Sequence, residues 1–340
     1  LTDLANLVAH ECEAERTRRD LAKAETEAAV ARAMMASFVE NAPFALLLAL
    51  ELGLRLGGYG YPTSFFLRSE VGGKPVLIEN EKFGWRWFPR QIARTPAPAV
   101  LQEPKRKKRV FVLGESAAMG FPDPAYGLAA QLRSALGEDW EVVNAAMTAI
   151  NSHAIRLIAA DCARLQPDVF VIYMGNNEVV GPFGAGTVFG NLSALPVIRT
   201  QIWLKGWRSG QAFSDWVTPT PVSAGEWRGL EFFKDRTVTS GDASLQRVYS
   251  HFRANTADIV RTGQKAGARV VISTVAVNLK DCPPFESPDG AATQAYAAGD
   301  YAKARDLDQL RFRADSRINA IIRETAAETG ADLVDAEREI

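Results

Sequence analysis

The chain has 340 residues, with 39 basic and 40 acidic side chains, long enough for one large domain with additions or for two smaller ones. This balance, with a pI near 6.4, leaves no global field to draw in nucleic acid, so no nucleic-acid partner is expected. Cys12, Cys162 and Cys282 lie far apart and show neither CxxC nor zinc-finger spacing, which argues against a disulfide framework and a structural zinc site; no metal and no cofactor are expected.

Residues 1–35 are rich in Ala, Glu and Arg and lack Pro and Gly, which predicts a helix with a solvated, mixed-charge face. Residues 33–56 are largely apolar but are interrupted by Glu40, Pro43, Glu51 and Arg55. A bilayer span takes about 20 apolar residues, and the uninterrupted core, 42–50, is short. The charges flank that core, so two readings stand: a short or tilted anchor, or a buried or interfacial helix. The apolar stretch lies too far from the first residue to be a cleavable signal peptide as written.

Gly57-Gly58-Tyr59-Gly60-Tyr61-Pro62 breaks the helical pattern and opens an expected linker over 57–104, rich in Gly, Pro and aromatics. Within it, the aromatic run 83–89 is expected to pack beside the core. Lys105-Arg106-Lys107-Lys108-Arg109 reads as a solvated approach to the first strand, with a contact to anionic lipid head groups as the alternative.

From there, apolar strands alternate with helical patterns. Strands are expected at 109–113, 141–144, 168–173, 269–275 and 331–335, and helices at 126–136, 153–165, 244–266 and 301–329. The order predicts an α/β fold with a doubly wound parallel sheet and helices on both faces. The stretch 181–241 is longer than an ordinary connection. Its Trp203, Trp207, Trp216 and Trp227 are expected to anchor it to the core rather than to stack on sugar rings. A second irregular stretch, 278–293, would border the same end of the sheet, and 295–304 looks like part of one tetratricopeptide helix pair, too little for a solenoid.

Two turns carry the chemistry. Val110-Phe111-Val112-Leu113 runs into Gly114-Glu115-Ser116, and Val169-Phe170-Val171-Ile172-Tyr173 runs through Met174 into Gly175-Asn176-Asn177-Glu178. In an open α/β sheet the crevice outside such strand ends is where ligands bind. Taken alone, the stretch favours the plainer reading of Ser116 as the N-cap of a following helix. A phosphate-binding loop over 114–120 fails the P-loop pattern in spacing and at Phe121.

Gly-Glu-Ser followed by Gly-Asn-Asn-Glu resembles the first and third blocks of the SGNH (GDSL-type) hydrolases, over roughly 109–178. The resemblance implies a three-layer α/β/α sandwich with a five-stranded, parallel, flavodoxin-like sheet, here a catalytic domain over 105–340 with a Trp-rich insertion at 181–243. It makes Ser116 the nucleophile and gives Asn177 the task of donating its side-chain amide to the oxyanion. Ala149, in the loop 144–151, stands where the family places a glycine N–H donor; alanine keeps the N–H but is disfavoured at positive φ. Glu115, Gly175 and His153 are expected to border the substrate.

The resemblance further implies a serine esterase acting on a small-molecule or glycan O-acyl or O-acetyl ester, or an O-acyltransferase using the same site. A non-catalytic binding module on this fold is the alternative. Bacterial relatives often carry an N-terminal anchor, which implies a membrane-tethered, extracytoplasmic domain, the alternative being cytoplasmic. The family's base lies in an Asp-x-x-His block, and the histidines here are His10, His153 and His251. The sequence starts at Leu1 and stops at Ile340 just after the last expected strand, so a piece of a longer chain is expected, with the histidine beyond Ile340.

Overall fold

The computed structural model describes residues 2–217, 229, 233 and 235–339, without the side chains of 2–9 and 12. Two compact units share them: 1–60 with 207–213, and 61–206 with 214–340.

The first unit is built on α1 (Thr2–Leu56), so the two expected helical stretches are one continuous helix that runs through Pro43. An 18-residue window within Glu13–Leu56 has a mean hydropathy of 1.6 and none of it is buried, which makes the helix long and apolar enough to cross a membrane. Glu51 is not simply an interruption. Its carboxylate accepts from the Arg208 and Ser209 backbone N–H groups at 3.0 and 2.8 Å and from the Ser209 hydroxyl at 2.9 Å. A helix N-terminus at those residues favours a negative charge.

In the second unit, β1 (Phe66–Val71), β2 (Lys74–Glu79) and β3 (Val100–Gln102) form a small antiparallel sheet in that order. The stretch read as a linker is therefore folded. Phe65, Phe83 and Leu101 are each no more than 1% exposed and join the main core, and burying such a side chain is worth about 1.5–3 kcal/mol. Arg109 is buried too, correcting the solvated reading: it donates to Glu141 at 2.5 Å, to the Leu165 carbonyl at 2.8 Å and to the Gln102 carbonyl at 2.9 Å, tying β3 to the main sheet.

The main sheet follows from β4 (Lys108–Gly114), with α2 (Ser116–Met119), α3 (Leu128–Leu136), β5 (Trp140–Asn144), α4 (Ser152–Ala163) and β6 (Val169–Tyr173) in chain order. After the insertion, which holds α5 (Leu195–Leu204) and α6 (Arg208–Val217), come α7 (Ala243–Lys265), β7 (Arg269–Ser273), α8 (Ala291–Ala297), α9 (Tyr301–Leu307), α10 (Ser316–Thr329), β8 (Asp332–Val334) and α11 (Ala336–Glu339). All five main strands are parallel, in the order β5-β4-β6-β7-β8. That is the flavodoxin-like order.

Side chains alternate across the strands. Phe111, Leu113, Phe170 and Ile172 pack with Ile155 and Ile158 of α4, Phe252 and Ile259 of α7 and Ile318 of α10. Val110, Val112 and Val142 pack with Ala118 and Ala129 on the other face. The result is three layers.

Two expectations fail here. The helix expected at 301–329 is broken by 308–315, because Asp308 turns back to accept from the Phe285 and Glu286 N–H groups at 2.9 and 3.0 Å, and Asp315 caps α10 through the Ile318 N–H at 3.0 Å. The tryptophans are not core anchors either: Trp203, Trp207 and Trp216 are 59%, 40% and 78% exposed, while Trp227 lies outside the described residues. Phe189, Ile198, Ile202 and Phe233 are the buried residues that pack this stretch onto the core. Cys162 is buried and Cys282 half-buried, both as free thiols; the Cys12 side chain lies outside the described residues.

Candidate active site

Gly114 ends β4 because a side chain there would run into the Tyr173 carbonyl oxygen of the neighbouring strand. The chain then turns, and Ser116 opens α2 as its first residue; Glu115 holds the N-cap position without capping α2 by its side chain. That removes the plain N-cap reading of Ser116.

The Glu115 carboxylate reaches across to the next strand end instead. It accepts from the backbone N–H groups of Gly175, Asn176 and Asn177 at 3.2, 2.8 and 3.2 Å. Gly175 has φ +143°, and a Cβ there would come within 2.7 Å of Ile318, so only glycine fits the turn. Asn176 closes it from the other side, accepting from the Ala314 N–H at 3.1 Å.

Asn177 emerges from this clamp with one amide N–H donated to the Ile150 carbonyl at 3.0 Å, and the second remains for a ligand. Ile150 follows Ala149, which takes φ +64°. The left-handed conformation costs a non-glycine residue about 1–2 kcal/mol, and such strain persists where its surroundings over-determine it. Here Met147 donates to the Gly114 carbonyl at 3.2 Å and bridges to Pro96, while Asn177 holds Ile150.

Ser116, Ala149 and Asn177 all line one cavity of about 230 Å³, with Arg94, Phe121, Thr148, Val180, Gly181, Gly229, Phe233 and Phe312. Three separate connections of the sheet thus supply the three groups. Their place is the carboxyl end of the parallel strands, the usual ligand site of such sheets.

Neither a family model nor a curated protein matches the chain. Among solved structures it is similar to an acetyl xylan esterase, AlAXEase, at 14% identity over 68% of this chain and 78% of that one, with a TM-score of 0.35. It is also similar to AlinE4, an SGNH-hydrolase family esterase, at 12% identity over 68% and 76%, with a TM-score of 0.34. A putative acylhydrolase from Bacteroides fragilis aligns at 11% identity over 68% of each chain, with a TM-score of 0.33.

Three residues expected to border the substrate do not line this cavity. Glu115 is 1% exposed and saturated by the turn it braces, and Gly175 lies inside that turn; neither lines the cavity. His153 is 3% exposed, with Nδ1 at 3.1 Å from the Asn255 amide and its ring against Phe183 and His251 at 5.7 and 5.6 Å. Burial, then the His251 and Arg156 charges, push its pKa down to about 3, so it stays neutral inside a packed network. Arg94 was missed, because it sits in the stretch read as a linker.

Behind the cavity lies a second buried carboxylate. Glu178 accepts from the Ser152 N–H and hydroxyl at 2.7 and 2.8 Å, joining the third-block turn to the start of α4. Burial pushes its pKa from 4.5 up to about 7, against the pull of Ser152. Burial and the nearby Glu178 charge push Glu115 up as well. A carboxyl with a raised folded pKa stabilises the fold below its unfolded pKa, and the benefit is lost as pH rises through the folded value. Stability should therefore fall between about pH 4.5 and 7. Thermal melts of wild type and Glu178→Gln across that window check this: the variant should show the shallower fall, and equal slopes would assign the titration elsewhere.

Proposed function

We propose that the chain is a serine esterase of the SGNH type, acting on an O-acyl ester of a small molecule or glycan through an acyl-enzyme on Ser116. The observation that carries this reading is the single cavity bordered by Ser116, Ala149 and Asn177. The Ser116 oxygen attacks the ester carbonyl carbon, and the negative charge that develops on the carbonyl oxygen meets the N–H groups of Ser116 and Ala149 and the Asn177 amide. Collapse expels the alcohol and leaves the acyl group on Ser116. Water then releases the acid; in a transferase, a sugar hydroxyl takes the acyl group.

A competing observation favours a binding module: among the described residues, no histidine lines the cavity. Trapping separates the two. After incubation with a short-chain aryl ester, peptide mass spectrometry should find the acyl group on Ser116 in the wild type and on no residue of the cavity in Ser116→Ala. An unlabelled Ser116 would leave the module reading.

We further propose that α1 tethers the chain to a membrane, with the second unit extracytoplasmic. Support comes from the hydropathy and exposure of Glu13–Leu56. A tagged protein should pellet with membranes and be released by detergent; recovery in the soluble pool without detergent would reverse the assignment.

A further inference from the structure

Glu178 directly follows Asn177, yet the ester chemistry above makes no use of its carboxylate. The residue is 3% exposed, and its hydrogen-bond partners among the described residues are the N–H and the hydroxyl of Ser152, at 2.7 and 2.8 Å. Burying a carboxylate against neutral donors is costly, and an apolar side chain would avoid that cost. What the carboxylate supplies is a connection. Ser152 is the first residue of α4 and stands three places after Ala149. Asn151 holds the N-cap position without capping the helix by its side chain; its amide donates instead to the Pro182 carbonyl at 2.9 Å. The first N–H of α4 is therefore satisfied by Glu178, at the helix end where a negative charge is favoured. The Ser152 hydroxyl is aimed by α7: it accepts from the Asn255 amide at 3.1 Å and donates its own hydrogen to Glu178.

We propose that Glu178 is a positioning residue for the oxyanion site, holding Ala149 in its left-handed conformation so that the Ala149 N–H stays aimed at the substrate. The inference rests on the esterase reading of the cavity. Ala149 at φ +64° is strained, and such a residue relaxes unless the chain on both sides is held. On one side, Met147 donates to the Gly114 carbonyl and bridges to Pro96. On the other, the hold falls on Ile150 and Ser152, and both bonds lead to consecutive residues of one turn: Asn177 donates to the Ile150 carbonyl at 3.0 Å, and Glu178 accepts from Ser152. The loop that carries Ala149 and the turn that carries Asn177 thus keep their spacing through this pair of contacts. Loss of Glu178 frees the first residue of α4 and lets Ala149 leave its strained φ.

The test is turnover of a short-chain aryl ester. Glu178→Leu should lower kcat about 5- to 30-fold, the factor that corresponds to the strain of one left-handed alanine, with KM little changed, because an oxyanion donor acts on the transition state. Glu178→Gln, which keeps an acceptor for the Ser152 N–H, should recover most of the rate. Ala149→Gly removes the strain, so Glu178→Leu should cost a smaller factor in that background than in the wild type. A merely structural role would not depend on residue 149. An equal loss in both backgrounds, a KM that rises as kcat falls, or no recovery with Gln overturns the proposal. Should Glu178→Leu not fold, Ser152→Ala takes its place: it removes the hydroxyl contact alone and should lower kcat about 2- to 10-fold, with the same dependence on residue 149 and the same overturning results. If no ester is turned over, the esterase reading fails separately, and amide hydrogen exchange over 147–152 then decides for Glu178. Faster exchange in Glu178→Leu, with wild-type exchange in Glu178→Gln, upholds the positioning role, and any other pattern overturns it.

Discussion

Asn177→Ala should slow acylation of Ser116 by a short-chain aryl ester about 10²- to 10³-fold, the cost of removing one oxyanion donor, or about 2.7–4 kcal/mol of barrier. Asn177 lines the same cavity as Ser116, and its amide has one N–H committed to the Ile150 carbonyl. The other is the donor at issue. Because the donor acts on charge that appears only in the transition state, the loss belongs in kcat with KM little changed. Single-turnover measurements of acylation check it. An equal fall in kcat and rise in KM would mean that the variant has instead loosened the loop at Ile150, and an unchanged rate would remove Asn177 from the oxyanion site.

The second large effect is on the fold. Glu115→Ala should destabilise the protein by about 3–5 kcal/mol, the scale expected when several buried backbone donors lose their acceptor together. Three backbone N–H groups, those of Gly175, Asn176 and Asn177, lose their acceptor at once. Each orphaned buried donor carries a desolvation cost of about 1–3 kcal/mol. The substitution also frees the turn that aims Asn177, so acylation should fall with stability. Urea unfolding gives the first quantity and acyl trapping the second. A loss under about 1 kcal/mol would mean that water replaces the carboxylate and that Glu115 does not brace the site.

Both residues stand in turns that the sequence marks, yet Asn177 lines the cavity and Glu115 does not, and the difference is physical. Gly114-Glu115-Ser116 and Gly175-Asn176-Asn177-Glu178 are local: strand, glycine turn and polar residue follow one another, and the apolar runs that precede them can only be buried strands in this alternation. The direction in which Glu115 points is not local. It depends on β6 lying beside β4, which brings the Gly175–Asn177 backbone within reach of its carboxylate.

What the sequence determined by itself was the period and order of the elements. All five strands expected from apolar runs stand within two residues of their observed positions, and their alternation with helices requires parallel pairing and layers on both faces. Only the tertiary structure decided which side chains share the cavity. Composition rich in Gly, Pro and aromatics made 57–104 read as a linker, since turn residues punctuate a chain whether or not it packs. Burial of Phe65, Phe83 and Leu101 is what folds it. Arg94 reaches the wall through the bridge from Pro96 to Met147, a contact between residues 51 apart in sequence. His153 went the other way: its place after Asn151-Ser152 is local and was legible, but the ring's burial against Asn255, His251 and Phe183 comes from α7 and the insertion packing over it. Periodicity records which face of an element is apolar, and it carries no information about which distant element will cover that face.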